Sequence, residues 1–481
     1  MLKQFMSEKN LINRPLIIIG LAILFLFAIS FLPDEITIFG IEIKSVDILE
    51  DLKRDDANEE IGKVQNFNNQ IFENIVIYSS TSLFSFDHSN KVNHFIKSEI
   101  DKFEETISKP TPDPPNSPLE GNIKQLKHFF EALKNAKNSQ VRIAHYGDSS
   151  LEGDLITAYL RNKFQKQFGG KGVGYLPITS QDINFRETTK INFSDDWISA
   201  SITGNNSENL SVGIAGKGFL NSKGSWVEYS AIPKFRSTRN FDIVRVFYTG
   251  LINNSELIYS LNGTSKKSIP IYKSDGISEA IIKEVNSTSV KLTFPEENST
   301  YIFGVSLEDT NGVYIDNLPL RGCSGVALKK IPRKTLKEFN SILNYQLVIL
   351  EFGLNILSGR KTNFKKYEQE MTEVITEFKK SFPNTSFLLV GVHDKSIKKK
   401  KKFVTDPEIK KLIQSQKNIA KNTDIAFWNL FEAMGGENSM QHWVDANPPL
   451  AYSDYTHFTS QGTKKEAEML FKSIMNANRQ L

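Results

Sequence analysis

The chain has 481 residues, of which 39% are hydrophobic and 24% charged, a globular composition long enough for two or three domains. Its 59 basic residues are nearly matched by 55 acidic ones, and the net charge of +4 excludes the strongly basic balance of a nucleic-acid binder. Cys323 is the single cysteine, which excludes an intramolecular disulfide and a cysteine-based zinc site, and no histidine pair stands at ligand spacing.

The N-terminal region reads as an anchor. Pro15 to Leu32, PLIIIGLAILFLFAISFL, is eighteen residues without a charge, about the shortest stretch that spans a bilayer. Lys3, Lys9 and Arg14 precede it, and Asp34 and Glu35 follow. The positive-inside rule puts residues 1–14 in the cytoplasm, 15–33 across the membrane as an uncleaved signal anchor, and the rest outside. Residues 34–118 alternate short apolar runs with charge and read as a stalk or packing extension. Ile36–Ile43 and Asn74–Tyr78 are its candidate strands. It ends in Ser108–Pro118, with five prolines in eleven residues, a stiff linker and domain boundary.

From residue 119 the pattern changes. Ile123–Ala136 has apolar residues at helical spacing, Val141–Tyr146 is a short strand, and Leu151–Phe168 is a helix pattern. Residues 181–319 are rich in Ser, Asn, Thr and Gly, with short β-like runs such as Asp242–Thr249 and Tyr301–Leu307. Turn signals at Asn262-Gly263 and Asn311-Gly312 separate them. This segment reads as an inserted all-β sandwich. Residues 320–481 return to apolar strands (Gln346–Phe352, Phe387–Val392, Ile425–Trp428) between helices near Phe364–Phe382, Pro407–Lys421 and Thr463–Ala477. Such alternation predicts a parallel sheet covered on both faces, begun by residues 119–180 and completed by 320–481.

Four short elements carry chemistry. Gly147-Asp148-Ser149 follows a strand and opens a helix, where a serine is exposed at a sheet's carboxyl end and helix-start N–H groups stabilise an oxyanion. By itself the tripeptide is equally a helix cap. Ser453-Asp454-Tyr455-Thr456-His457 precedes the last helix, and one loop there supplies a base and its orienting carboxylate. Gly353-Leu354-Asn355 ends a neighbouring strand with an amide donor. Arg321-Gly322-Cys323-Ser324-Gly325 brings glycines where the chain leaves the sandwich. Singly, each of the last three is also an ordinary turn.

In this order the elements resemble the SGNH (GDSL-like) hydrolase superfamily. The match supplies Ser149, a glycine read as Gly325 with Gly322 as the competing register, Asn355, and His457 with Asp454. It departs at Ile356, where the family often has Asp. Tyr146–Asp154, Gly169–Pro177 and Ala433–Met440 are similar to bacterial peptidoglycan O-acetylesterases, in which a β-sandwich interrupts the hydrolase domain. The resemblance implies a flavodoxin-like three-layer α/β domain with a jelly-roll-like insert that is a candidate carbohydrate binder. It implies a Ser149–His457–Asp454 triad, an oxyanion hole from Ser149 N–H, Gly325 N–H and Asn355, and no cofactor. The expected substrate is an O-acetylated envelope polysaccharide, reached from the outer face of a bacterial inner membrane. An O-acetyltransferase with the same triad and an idle glycan-binding scaffold are the alternatives.

Lys398–Lys402 is a run of five lysines, read as a solvated loop with an anionic polymer as its sharper use. His145 and His393 stand at strand ends near the expected site. Trp197, Trp226 and Tyr229 are core fillers or sugar-stacking residues of the sandwich.

Overall fold

A computed structural model describes residues 35–38, 41–44 and 117–481, except 205, 207–208, 250–253, 297–299 and 358–361. The expected anchor at 15–33 and the candidate strand Asn74–Tyr78 lie outside the described residues. Among the described residues, no helix is long and apolar enough to cross a membrane. The chain divides into two units, Met1–Ser108 and Lys109–Leu481. In the first, Glu35–Ile38 and Ile41–Lys44 pair as an antiparallel hairpin with Ile36 opposite Ile43.

The second unit is built on a six-stranded sheet in the order Gly312–Pro319, Gln140–Gly147, Tyr345–Glu351, Ser386–Val390, Ala426–Trp428, Glu120–Gly121. The first five run parallel and the last is antiparallel. Numbered along the chain, the parallel strands lie 2-1-3-4-5. This flavodoxin-like order opens a crevice at the carboxyl ends of the first and third strands. Those strands are Gln140–Gly147 and Tyr345–Glu351, and the expected nucleophile and amide donor follow them.

Alternate strand residues feed two cores. Ala144, Tyr146, Val348, Leu350 and Leu389 pack with residues of Arg333–Leu343, Phe364–Ser381 and Glu408–Thr423. Ile143, Leu347, Ile349, Leu388 and Val390 pack with residues of Lys127–Lys134, Leu155–Phe168 and Ser460–Gln480. In Phe364–Ser381, Asn363 caps the first turn by accepting the Lys366 N–H, and Tyr367, Met371, Val374, Ile375 and Phe378 form the buried stripe. Each such side chain contributes roughly 1.5–3 kcal/mol by burial, and Phe378→Ala would cost about 3–5 kcal/mol.

The insert is a sandwich of two antiparallel sheets. One orders Ser278–Ser287, Phe241–Thr249, Tyr301–Glu308, Lys217–Leu220 and Ile198–Ser201. The other orders Lys267–Ile271, Ser255–Leu261, Ser289–Thr293, Trp226–Ala231 and Thr189–Phe193. Its limits differ from residues 181–319. Gly174–Leu176 pairs with Tyr301–Glu308 of the sandwich, while Gly312–Pro319 pairs with Gln140–Gly147 of the parallel sheet. Composition misplaces both edges because short strands next to glycine turns look alike in either sheet. The crossing is tight: a Cβ on Gly172 would run into the Leu307 carbonyl oxygen.

A buried charge cluster joins sheet and sandwich. Arg142, on the serine strand, donates to Asp316 at 2.9 Å and also pairs with Glu308 of the sandwich. Glu308 accepts Arg245 at 3.1 Å as well. Removing one partner of such a cluster leaves a buried charge uncompensated and costs about 3–5 kcal/mol.

The expected helix Leu151–Phe168 is broken. A 3-10 turn spans Ser149–Asp154, with Gly153 at φ 69° and Asp154 at φ 63°, and the α-helix runs from Leu155 to Phe168. Buried Asp154 holds the break by accepting Arg161 at 2.8 Å and Thr188 at 2.6 Å. The lysine run is not a loop but a hairpin, Ser396–Lys399 against Lys402–Thr405.

Candidate active site

The strand Gln140–Gly147 is buried almost throughout and delivers Asp148 and Ser149 to the carboxyl edge of the sheet. A side chain at Gly147 would collide with Leu151 at 2.6 Å, so the turn into the serine loop needs glycine. Asp148 is the cap of this turn: its Oδ1 accepts the Ser150 N–H at 3.0 Å. Burial, reinforced by the charge of Glu351, pushes the Asp148 carboxyl up to about 6. Ser149 itself is half-buried at the first position of the turn.

Asn355 stands in a 3-10 turn after the neighbouring strand. Its Nδ2 donates to Asp148 Oδ2 at 2.8 Å and to the Cys323 carbonyl at 3.1 Å. Three of the expected elements therefore meet: the serine loop through Asp148, the amide through Asn355, and the glycine loop through Cys323. Within that loop Gly325 has φ 94°, and a Cβ there would meet Met371 at 2.9 Å. Its N–H donates to the Cys323 sulfur at 3.3 Å. Sulfur is a weak acceptor, so this N–H remains exchangeable for a stronger one. Gly322, the competing register, is exposed, and a Cβ there would meet nothing within 4 Å.

The fourth element lies in the loop before Ser460–Gln480. Asp454 Oδ2 and His457 Nδ1 are 2.6 Å apart, and Asp454 Oδ1 accepts the Thr456 and His457 N–H groups at 2.9 and 3.0 Å. Partial burial alone would raise the Asp454 carboxyl, but these bonds hold it below its ordinary value. Asp454 and His457 are 48% and 56% exposed, which leaves the pair open to a substrate. The His457 charge is felt at Asp148 and at His393, so the loop faces the serine side of the sheet. No hydrogen bond joins His457 to Ser149 among the described residues.

The loop is braced from behind. Phe458 packs on His393 and Trp443 with ring centroids 4.5 and 4.6 Å away. Tyr455, at φ 55°, stacks on Phe403 of the lysine hairpin at 3.7 Å. His393 is buried and bonded to the Asp394 carbonyl at 2.6 Å, and burial holds its ring down to about 4. It is a neutral wall of the site. His145 is fully buried against Glu351 at 2.9 Å and does not reach the surface.

Two spaces adjoin these residues. A cavity of ≈ 20 Å³, room for about one water, is lined by Asp148, Ser150, Glu351 and His393 among others. A groove of ≈ 550 Å³ opens on the sandwich side, with Glu152, Phe193, Trp197, Lys217 and Arg321 among its walls. Glu152 lies three residues after Ser149, and Arg321 chelates it through Nε and Nη2, with Nε 2.8 Å from Oε2. Trp226 and Tyr229 are used differently: Tyr229 is core, and Trp226 carries the Lys291 ammonium over its ring at 3.9 Å. The sequence did not single out Glu351, Glu466 or the Glu152–Arg321 pair. They come from distant segments, and only the fold brings them together.

No protein-family model and no curated protein matches the sequence. Among solved structures, the chain is similar to a peptidoglycan O-acetylesterase, with 20% identity over 75% of this chain and 98% of that one and a TM-score of 0.62. It also aligns with a family two carbohydrate esterase from Cellvibrio japonicus, at 9% identity over 60% and 98% of the two chains and a TM-score of 0.25. A GDSL-like lipase from Parabacteroides merdae aligns at 17% identity over 35% and 73%, with a TM-score of 0.25. With its 2-1-3-4-5 sheet, its serine at the switch point and an alignment spanning nearly all of the O-acetylesterase, the chain has an SGNH-hydrolase-like fold.

Proposed function

We propose that the chain is a serine esterase that removes O-acetyl groups from a cell-envelope polysaccharide, with Ser149 as nucleophile, His457 as base and Asp454 as its orienting carboxylate. The observation that carries this reading is the Asp454–His457 pair at 2.6 Å on the same side of the sheet as a serine loop already bonded to Asn355. Asp454 on Nδ1 leaves His457 Nε2 as the ring atom that meets Ser149.

Ser149 Oγ attacks the acetyl carbonyl carbon as its proton passes to His457 Nε2. The oxyanion takes hydrogen bonds from Ser149 N–H, the Asn355 amide and Gly325 N–H, displacing the weak bond to the Cys323 sulfur. Collapse expels the sugar oxygen, which receives the proton from His457, and leaves acetyl-Ser149. Water, deprotonated by His457, then attacks and releases acetate. No step calls on a metal or cofactor.

The groove beside Glu152 and Arg321 supports a polymeric substrate, because its size exceeds an acetyl group and Trp197 and Phe193 offer apolar faces to sugar rings. The uncharged segment 15–33 with basic residues before it supports an anchor in a bacterial inner membrane and a catalytic unit outside the cytoplasm. The test is acetate release from O-acetylated peptidoglycan by the purified chain. Free acetate is the expected product. Acetyl appearing on acceptor glycan instead would make the protein a transferase.

A further inference from the structure

Behind the serine loop lies a cluster that the proposed mechanism leaves unused. Glu351 ends the strand Tyr345–Glu351 and Glu466 lies on the last helix, and they are 7% and 1% exposed. His145 Nε2 donates to Glu351 Oε2 at 2.9 Å, and Ser150 Oγ donates to Oε1 at 3.4 Å. The Glu466 side chain is hydrogen-bonded to Glu351 as well. Neither Glu466 oxygen meets an N–H or O–H donor from any other described residue.

Two carboxyl groups share a hydrogen bond only when one of them brings the proton. Glu351 receives two donors, which favours its charged form. Glu466 receives none and sits among the apolar residues of the second core, with Ala467 and Leu470 beside it in sequence. The proton therefore resides on Glu466. Burial first, and then the charge of Glu351, hold this carboxyl far above its ordinary range.

The bond joins two parts of the site. Ser150 is the neighbour of Ser149, and its N–H is already fixed by Asp148. The helix of Glu466 begins at Ser460, three residues after His457. We propose that Glu466 is a positioning residue: as a neutral acid it donates to Glu351, and this bond fixes the loop of the nucleophile against the helix behind the loop of the base. The kinetic part of this inference rests on the hydrolytic reading, and the proton itself does not.

The other titratable groups around the pair come from four places. They are His145 on the adjacent strand, Asp148 in the serine loop, His393 after Ser386–Val390, and His457 before the last helix. Asp148 adds like charge, and His393 is neutral. Among the described residues, no lysine or arginine bonds to Glu351 or Glu466. Ionising Glu466 thus sets two buried charges against each other without relief. A carboxyl raised on folding contributes stability that is complete below its unfolded value near pH 4 and declines as pH rises toward the folded value.

The test compares the purified full chain with Glu466→Gln and Glu466→Ala. A glutamine amide donates to Glu351 without needing a proton. Thermal unfolding is followed from pH 5 to pH 9. Glu466→Gln is expected to match the wild type near pH 5 and to exceed it by several degrees at pH 9, with Glu466→Ala below both at pH 5. Turnover of 4-nitrophenyl acetate is the second readout. Glu466→Gln keeps kcat within about twofold at pH 7 and falls less than the wild type at pH 9, while Glu466→Ala loses roughly tenfold in kcat. A Gln variant no more stable than the wild type at pH 9 overturns the proton assignment. A Gln variant as slow as the Ala variant overturns the positioning role. If the wild type turns over no ester, the hydrolytic reading falls, and the unfolding comparison still decides where the proton lies.

Discussion

Asp148 accepts the Asn355 amide on Oδ2 at 2.8 Å and the Ser150 N–H on Oδ1 at 3.0 Å, so one buried carboxylate holds both the nucleophile loop and the side-chain oxyanion donor. Holding its charge in that position is costly. Burial raises it to about 6, against an unfolded value of about 3.9. The stability it contributes is full below about pH 4 and is lost as pH climbs to about 6, a change of roughly 3 kcal/mol. Asp148→Asn should flatten that part of the thermal unfolding profile between pH 4 and pH 7. It should also slow ester turnover by roughly 10–100-fold, because an amide nitrogen cannot accept from Asn355.

The oxyanion donors separate by their supports. Asn355→Ala should lower kcat by about 10²–10³ with little change in KM, the loss expected when a donor serves only the transition state. Gly325→Ala should lower kcat and also destabilise by roughly 1–3 kcal/mol. Its φ of 94° is strained for alanine and its Cβ meets Met371. Paired kinetics and denaturant unfolding distinguish the two.

Asp454 accepts three hydrogen bonds within its own loop, two from His457 and one from the Thr456 N–H. Asp454→Asn preserves the shape but presents the wrong atoms to Nδ1. A fall of about 10⁴ in kcat is expected, with the unfolding temperature nearly unchanged. A loss below about tenfold would remove Asp454 from the triad.

The groove makes a prediction about substrate size. Trp197 bonds the Trp226 carbonyl at 3.1 Å and lines the groove. Trp197→Ala should raise KM for an acetylated polymer by roughly tenfold. The KM for 4-nitrophenyl acetate should move far less.

The lysine hairpin makes another. Lys398 to Lys402 are all exposed, and Phe403 connects their hairpin to the His457 loop through Tyr455. Changing Lys398, Lys400 and Lys402 to Gln should leave stability within about 0.5 kcal/mol. It should reduce the salt dependence of KM on an acidic acetylated glycan, while a neutral one is unaffected.

Some of this was legible in the chain alone. QLVILEF and FLLVGV are apolar at nearly every position because their strands are buried on both faces, and that run is what marks a parallel sheet. Ser149, Asn355 and the Asp454–His457 pair were legible because each follows a strand or precedes a helix with its own turn residues. The sandwich edges were not, since Gly312–Pro319 looks like one more β-run until its parallel pairing is seen. The break at Gly153 was hidden because the apolar spacing of Leu151–Phe168 continues through it, and the break depends on Asp154, Arg161 and Thr188 meeting from separate segments. Glu466 reads as one polar residue on a helix face. Its role depends on Glu351, more than a hundred residues earlier.

The central claim is that Ser149 is an acyl-forming nucleophile, and its most direct measurement is acetate release from O-acetylated peptidoglycan by the wild type and Ser149→Ala. The account predicts release by the wild type and a loss of at least about a thousandfold in the variant. Equal release by both proteins would contradict it.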